Sequence, residues 1–167
     1  TRDFSPITLI SSTPNVVVVH PSLPVKSVKD LIALAKAKPG VLNYSMGSVG
    51  SSAHLAAELF KEMAGVDMTR IPFKVASMRM AALISGDVQI EFATGGSVAS
   101  YLKSGRLRAL AVTTAEPSVL APGLPTVSSS GVPGYESVNM SGVFAPAKTP
   151  TAVISRINQE MVRALGR

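Results

Sequence analysis

Asn43-Tyr44-Ser45-Met46-Gly47-Ser48-Val49-Gly50-Ser51-Ser52-Ala53-His54-Leu55 reads as a short strand, a Gly/Ser loop and the start of a helix. Leu55, Leu59, Phe60 and Met63 recur behind the loop at helical spacing. A helix N-terminus leaves backbone N–H groups without partners and carries partial positive charge. Glycines let that backbone approach a ligand closely, and serine hydroxyls add donors. Such a loop is a small cradle for a carboxylate or phosphate. Ser51 or Ser52 also suits the helix N-cap, so the loop alone is compatible with both readings.

Working outward, strands and helices alternate. Ile7–Ser11 and Val16–His20 are rich in branched residues and read as strands interrupted by Thr13-Pro14-Asn15. Ser27 and Asp30 resemble a capping box with Asp in place of Glu, ahead of a helical face of Val28, Leu31, Ile32 and Ala35. Leu42–Ser45 is a strand entering the cradle, and the helix after it runs to Gly65. Further strands are expected at Thr69–Phe73, Val88–Phe92 and Leu107–Thr113, with helices at Met78–Ile84 and Val98–Lys103. A Pro-, Gly- and Ser-rich segment follows. Val138–Ala145 is extended, and Pro150 opens a last amphipathic helix through Val153, Ile157, Met161 and Leu165.

This pattern predicts an α/β domain with a mainly parallel sheet flanked by helices. Ligands in such sheets sit at the carboxyl ends of strands. Two loops fall there, Ser45–Ser52 and Ala93-Thr94-Gly95-Gly96-Ser97.

Composition narrows the function. The 167 residues suit one domain or one and a part, and 46% hydrophobic content supports an ordinary core. The longest apolar runs, around Val16–Val19, suit a buried strand and are too short to span a bilayer. Net charge is +6, but the basic residues are scattered, and tryptophan is absent. That speaks against nucleic acid as a partner and is compatible with small organic anions. The absence of cysteine excludes thiol catalysis, disulfides and cysteine metal sites. His20 and His54 have no carboxylate set at ligand spacing, and no cofactor motif stands out, so neither metal nor cofactor is expected. The start, Thr1-Arg2-Asp3-Phe4, suits a cleaved leader or an excised fragment.

The order of short motifs is more specific than any one of them. Asp3-Phe4-Ser5-Pro6-Ile7, Thr13-Pro14-Asn15-Val16, Lys38-Pro39-Gly40 and Gly50-Ser51-Ser52-Ala53-His54-Leu55-Ala56 come first. Gly105-Arg106-Leu107-Arg108-Ala109-Leu110-Ala111-Val112-Thr113, Leu124-Pro125-Thr126-Val127 and Gly142-Val143-Phe144-Ala145-Pro146 follow. Across essentially the whole chain the sequence resembles the Bug family, the TctC-type binding proteins of tripartite tricarboxylate transporters. The resemblance implies a type II periplasmic binding-protein fold of two α/β lobes with ligand in the cleft between them. It implies that residues 1–15 are a first crossover strand and 16–137 the second, ligand-binding lobe. Residues 138–167 would be the return crossover and a helix of the first lobe.

The family holds a ligand carboxylate with backbone amides and hydroxyls. Carried over, Ser45, Gly47, Ser48, Gly50, Ser51 and Ser52 are the contributors here. Met46 either forms an apolar wall or packs inward. His54 either contacts ligand or tethers the loop. Ala93-Thr94 stands where many members have an Asp suited to a ligand amino group, which points to a carboxylate without an amine; Ala93, Thr94 and Gly95 are expected at the ligand. Phe73-Lys74-Val75 replaces a common Tyr-Lys-Gly, leaving Lys74 to meet an anion or solvent. Glu91 lies nearby without an assignable role.

The expected function is a non-catalytic, periplasmic capture protein for a small organic acid, serving membrane permease subunits or a sensor. Exposed crossover strands and the terminal helix would support a homo-oligomer. An alternative is an acyl- or phosphoryl-transfer enzyme using Ser51 and His54, although no acidic orienting residue, nucleophile elbow or P-loop accompanies them. A transcription-regulator effector domain would need a DNA-binding helix pair that the sequence lacks.

Overall fold

The structure, a computed structural model, describes residues 3–166. Contacts divide them into two units, 3–13 with 139–166 and Pro14–Val138. Residues 1, 2 and 167 of the expected crossover and terminal helix lie outside the described residues.

The larger unit holds most of the elements. In chain order these are β1 (Phe4–Val19), α1 (Val28–Ala37), β2 (Asn43–Met46), α2 (Ser52–Ala64), β3 (Thr69–Pro72) and α3 (Ala76–Ser85), then β4 (Ile90–Thr94), α4 (Gly95–Lys103) and β5 (Arg108–Val112). The sheet order is β3-β2-β4-β1-β5. β2 runs parallel to β3 and to β4, whereas β1 runs antiparallel to β4 and β5. The sheet is therefore mixed rather than mainly parallel. β4 lies between β1 and β2, so the β1–α1–β2 connection is free of the crossover geometry that keeps neighbouring strands parallel.

β1 also departs from the sequence reading, because it passes through Thr13-Pro14-Asn15 without a break. Proline's fixed φ suits extended backbone. The next amide, Asn15 N–H, donates to Thr113 Oγ1 at 2.9 Å, and the Thr113 hydroxyl and amide both donate to the Asn15 carbonyl at 3.0 Å. A side chain thus completes the pairing on the C-terminal side of the proline.

Sheet faces follow the strand period of two. Val17 and Val19 join Ile90, Phe92 and the apolar sides of α1 and α2 in one core. Val16 and Val18 join Ala93, Leu83 of α3 and Val98 of α4 in another. Both faces of β1 are covered, which is why Val16–Val19 is an unbroken apolar run. Phe60 anchors the first core, with its ring centroid 5.6 Å from that of Phe92 and 6.2 Å from that of Tyr135. The Tyr135 hydroxyl donates to the Ala56 carbonyl at 2.8 Å.

Local signals set the helix ends. Ser27 Oγ accepts from the Asp30 amide at 3.1 Å, while Asp30 accepts from the Lys26 amide at 2.9 Å. This is the expected capping box, displaced by one residue. Gly65 (φ 61°) and Gly86 (φ 89°) close α2 and α3 in the left-handed conformation that glycine adopts without strain.

The smaller unit contains the first part of β1, β6 (Val138–Pro146) paired with it, and α5 (Thr151–Ala164). Asn158 Nδ2 of α5 donates to the Ile7 carbonyl at 2.6 Å. Among the described residues, no helix is long and apolar enough to cross a membrane.

Phe60→Ala removes the ring that joins α2 to β4 and to Tyr135. The expected loss is about 3–5 kcal/mol, read as a lower urea midpoint with unchanged slope.

Candidate functional site

Because β3, β2 and β4 are parallel, they end at one edge of the sheet. The helix after each strand begins there: α2 after β2, α3 after β3 and α4 after β4. A cavity of about 560 Å³ opens at this edge, a size typical of small-molecule sites. Gly47, Ser48 and the α2 start at Ser51, Ser52 and Ala53 form one wall. Pro72, Phe73, Lys74 and the α3 residues Ala76 and Arg79 form a second. Glu91–Thr94, Ser97 of α4 and Asn15 of β1 complete the lining.

The electrostatics of the helix starts are one-sided. None of α2, α3 and α4 has an acidic residue in its first turn, and α3 and α4 lack a side-chain cap bond. Helix α1, which starts away from this cavity, has both Asp30 and a Ser27 cap. Three positive dipole ends therefore face one cavity with no acidic side chain in their first turns, α2 alone being capped, by the Ser51 hydroxyl. Its charged side chains are Lys74, Arg79 and Glu91.

Glu91 is 1% exposed and fully partnered. Its Oε1 accepts from Arg79 Nε at 2.8 Å, and its Oε2 accepts from Ser45 Oγ at 2.9 Å. Ser45 and Glu91 face one another across the β2–β4 pairing. Burial pushes the Glu91 carboxyl above its ordinary pKa, against the pull of Arg79 and of both hydrogen bonds. Removing either partner would leave a buried charge short of a donor.

Of the expected ligand residues, Gly47, Ser48, Ser51, Ser52, Lys74, Ala93 and Thr94 line the cavity. Five do not. Ser45 is 2% exposed and spends its hydroxyl on Glu91. Met46 is 1% exposed in the core with α2, so it packs inward. Gly50 turns the loop at φ 82°, and its amide donates to His54 Nδ1 at 3.1 Å. His54 is thus a loop tether, with Nε2 3.2 Å from Arg70 Nη1. Gly95 starts α4 outside the lining.

This geometry also separates Ser51 from His54. Ser51 Oγ accepts from the His54 backbone amide at 3.4 Å as the α2 cap, while the imidazole Nδ1 is held by Gly50. The hydroxyl faces an amide, not a base, so the pair lacks the arrangement of an activated nucleophile.

Sequence reasoning missed Asn15, Arg79 and the pairing of Glu91. The signal for Glu91 was a charge inside a strand of buried type, since such groups are buried only when partnered. Asn15 gave no comparable signal. It is fully buried and lines the cavity, yet neither Oδ1 nor Nδ2 has a partner among the described residues. An orphaned buried amide costs about 1–3 kcal/mol. Asn15→Leu, close in shape and apolar, is expected to raise the melting temperature by roughly 2–6 °C without ligand. A lower melting temperature would show that the carboxamide is satisfied in the folded chain.

The chain is similar to the UPF0065 protein in the tcbD-tcbE intergenic region of Pseudomonas sp. (strain P51), 32% identical over 165 residues that make up 98% of this chain and 49% of that protein. Among solved structures it is similar to R. palustris Rpa4515 with adipate, at 39% identity and a TM-score of 0.89, covering 99% of this chain and 55% of that one. It is also similar to the periplasmic binding protein BugD, at 26% identity and a TM-score of 0.80, covering 98% of this chain and 58% of that one. The chain spans about half the length of the curated relatives it matches. Residues 1–167 match the tripartite tricarboxylate transporter family receptor, TctC, and the chain belongs to that family.

Proposed function

We propose that this chain is the ligand-binding part of an extracytoplasmic solute-binding protein that captures a small organic carboxylate in the periplasm. It would hand that ligand to the permease subunits of a tripartite tricarboxylate-type transporter, or to a sensor. The observation that carries this reading is the convergence on one cavity of three helix N-termini without an acidic residue in their first turns. Backbone amides at Gly47-Ser48 and at the α2 start, with the Ser48, Ser51 and Ser52 hydroxyls and Thr94, are the proposed contacts, and Lys74 adds positive charge at the rim. The similarity to a protein whose structure holds adipate supports a carboxylate as ligand. Family membership supports a receptor in place of the Ser51/His54 enzyme.

The ligand would lack an amino group. An ammonium needs a free acceptor, and both oxygens of Glu91 are occupied. Where an Asp would help, the strand ends in Ala93-Thr94. A thermal-shift panel of mono-, di- and tricarboxylates and amino acids tests this. A carboxylate at 100 times its Kd should stabilise by about 2.7 kcal/mol, roughly 5–10 °C, and amino acids should not. Equal stabilisation by amino acids, or silence from every carboxylate, would overturn the reading.

The smaller unit supports a second, separate proposal. Helix α5 exposes Val153 and Ile157, its C-cap Leu165 is exposed too, and β6 exposes Met140 and Phe144. We propose that this apolar surface pairs with a second copy of the chain. Light scattering at micromolar concentration should then report a dimer, and a monodisperse monomer would count against it.

A further inference from the structure

Arg79 is placed as no surface arginine would be. Its side chain is 22% exposed and lines the cavity. Among the described residues its guanidinium has one hydrogen-bond partner, Glu91, reached through Nε alone. Glu91 is fixed from the other side by Ser45. The guanidinium also lies over the ligand loop. A Cβ added to Gly47 would sit 2.9 Å from Arg79 Nη1, so this glycine leaves the space that the arginine fills.

An arginine presents five N–H donors in a rigid plane. Nε–H is taken by Glu91, and neither terminal amino group has a hydrogen-bond partner among the described residues of a cavity that Arg79 lines. Together these amino groups form the edge that grips a carboxylate two-handed. Asn15 adds a fully buried carboxamide, unpaired among the described residues, to the same lining.

We propose that Arg79 is the ionic anchor of this cavity and takes one carboxylate of the ligand directly through its terminal amino groups. Glu91 and Ser45 are positioning residues behind it, and the amide-rich loop with its helix N-termini takes a second carboxylate. The substrate class is a small dicarboxylate without an amino group. The inference rests on the carboxylate-binding reading above and narrows it. Charge is compatible with it: Glu91 cancels one of the two cations, and Lys74 with three dipole ends is left to balance the ligand.

The test is an NMR titration of the 15N-labelled protein with straight-chain four- to six-carbon dicarboxylates. Monocarboxylates of equal length and an α-amino dicarboxylate serve as comparisons. The dicarboxylate should shift both the Gly47–Ser52 amides and the Arg79 Nε–H resonance, and the monocarboxylate only the former. Arg79→Gln should weaken dicarboxylate binding roughly 10- to 100-fold, the loss of charge-assisted hydrogen bonds, and change monocarboxylate binding by less than about threefold. Should Arg79→Gln fail to fold because Glu91 is left unpaired, Arg79→Gln/Glu91→Gln removes both charges and carries the same expectation.

Glu91→Gln keeps an acceptor for Arg79 Nε and should retain binding, whereas Glu91→Leu should lose dicarboxylate preference and the Arg79 Nε–H shift together. Dicarboxylate binding that survives Arg79→Gln within threefold overturns this inference and leaves the carboxylate-binding reading intact. Equal losses for mono- and dicarboxylates do the same. No carboxylate binding by the unmodified protein overturns both.

Discussion

The constraint on which the site depends is the parallel run of β3, β2 and β4. Parallel neighbours need crossover connections, and each crossover here contains a helix that starts where its strand stops. Chain direction alone therefore gathers three helix N-termini at one sheet edge. What the sequence adds is restraint: no acidic residue follows in any of their first turns, although α1, which starts elsewhere, carries one. The positive end of a helix dipole is available at every helix start, and in this chain no carboxylate of the first turns covers it where three of them meet.

A protein carboxylate among those dipole ends would compete with an anionic ligand for them unless it were partnered locally, and Glu91 is. Arg79 and Ser45 occupy both of its oxygens, so it repels an incoming anion less than a free carboxylate would. The same bonds fix the arginine plane against Gly47. A flexible arginine would lose rotamer freedom on binding, and here that loss is already taken in folding. Asn15 shows the opposite balance, since its carboxamide is buried with both polar atoms unmatched among the described residues.

Much of the fold was legible because its signals are local. The Val16–Val19 run reported a strand covered on both faces, Gly65 and Gly86 marked helix ends, and the Gly/Ser loop marked the strand–helix junction that lines the cavity. The break assigned to Thr13-Pro14-Asn15 failed because its repair is remote: Thr113, 98 residues away, supplies the missing partner. The direction of β1 was illegible for a related reason. It depends on β4 inserting between β1 and β2, which no local pattern encodes. Ser45 and Met46 looked like ligand residues from their adjacency to the loop. Strand alternation instead sends Met46 into the core and aims Ser45 at Glu91.

Arg79 was the hardest residue to find, for a physical reason that also bears on function. On the sequence it is one of several scattered cations, and its distinction arises only when α3 carries it over Gly47 and β4 brings Glu91 beneath it. A capture protein must release its ligand as well as bind it. A bare buried arginine would hold an anion with its full charge in a poorly screened site. An arginine already bonded to Glu91 offers oriented donors with part of that charge neutralised, so geometry contributes more to selectivity than raw attraction does. Discrimination between anions then falls to the spacing between Arg79 and the loop amides, which chain length and branching of the ligand would have to match.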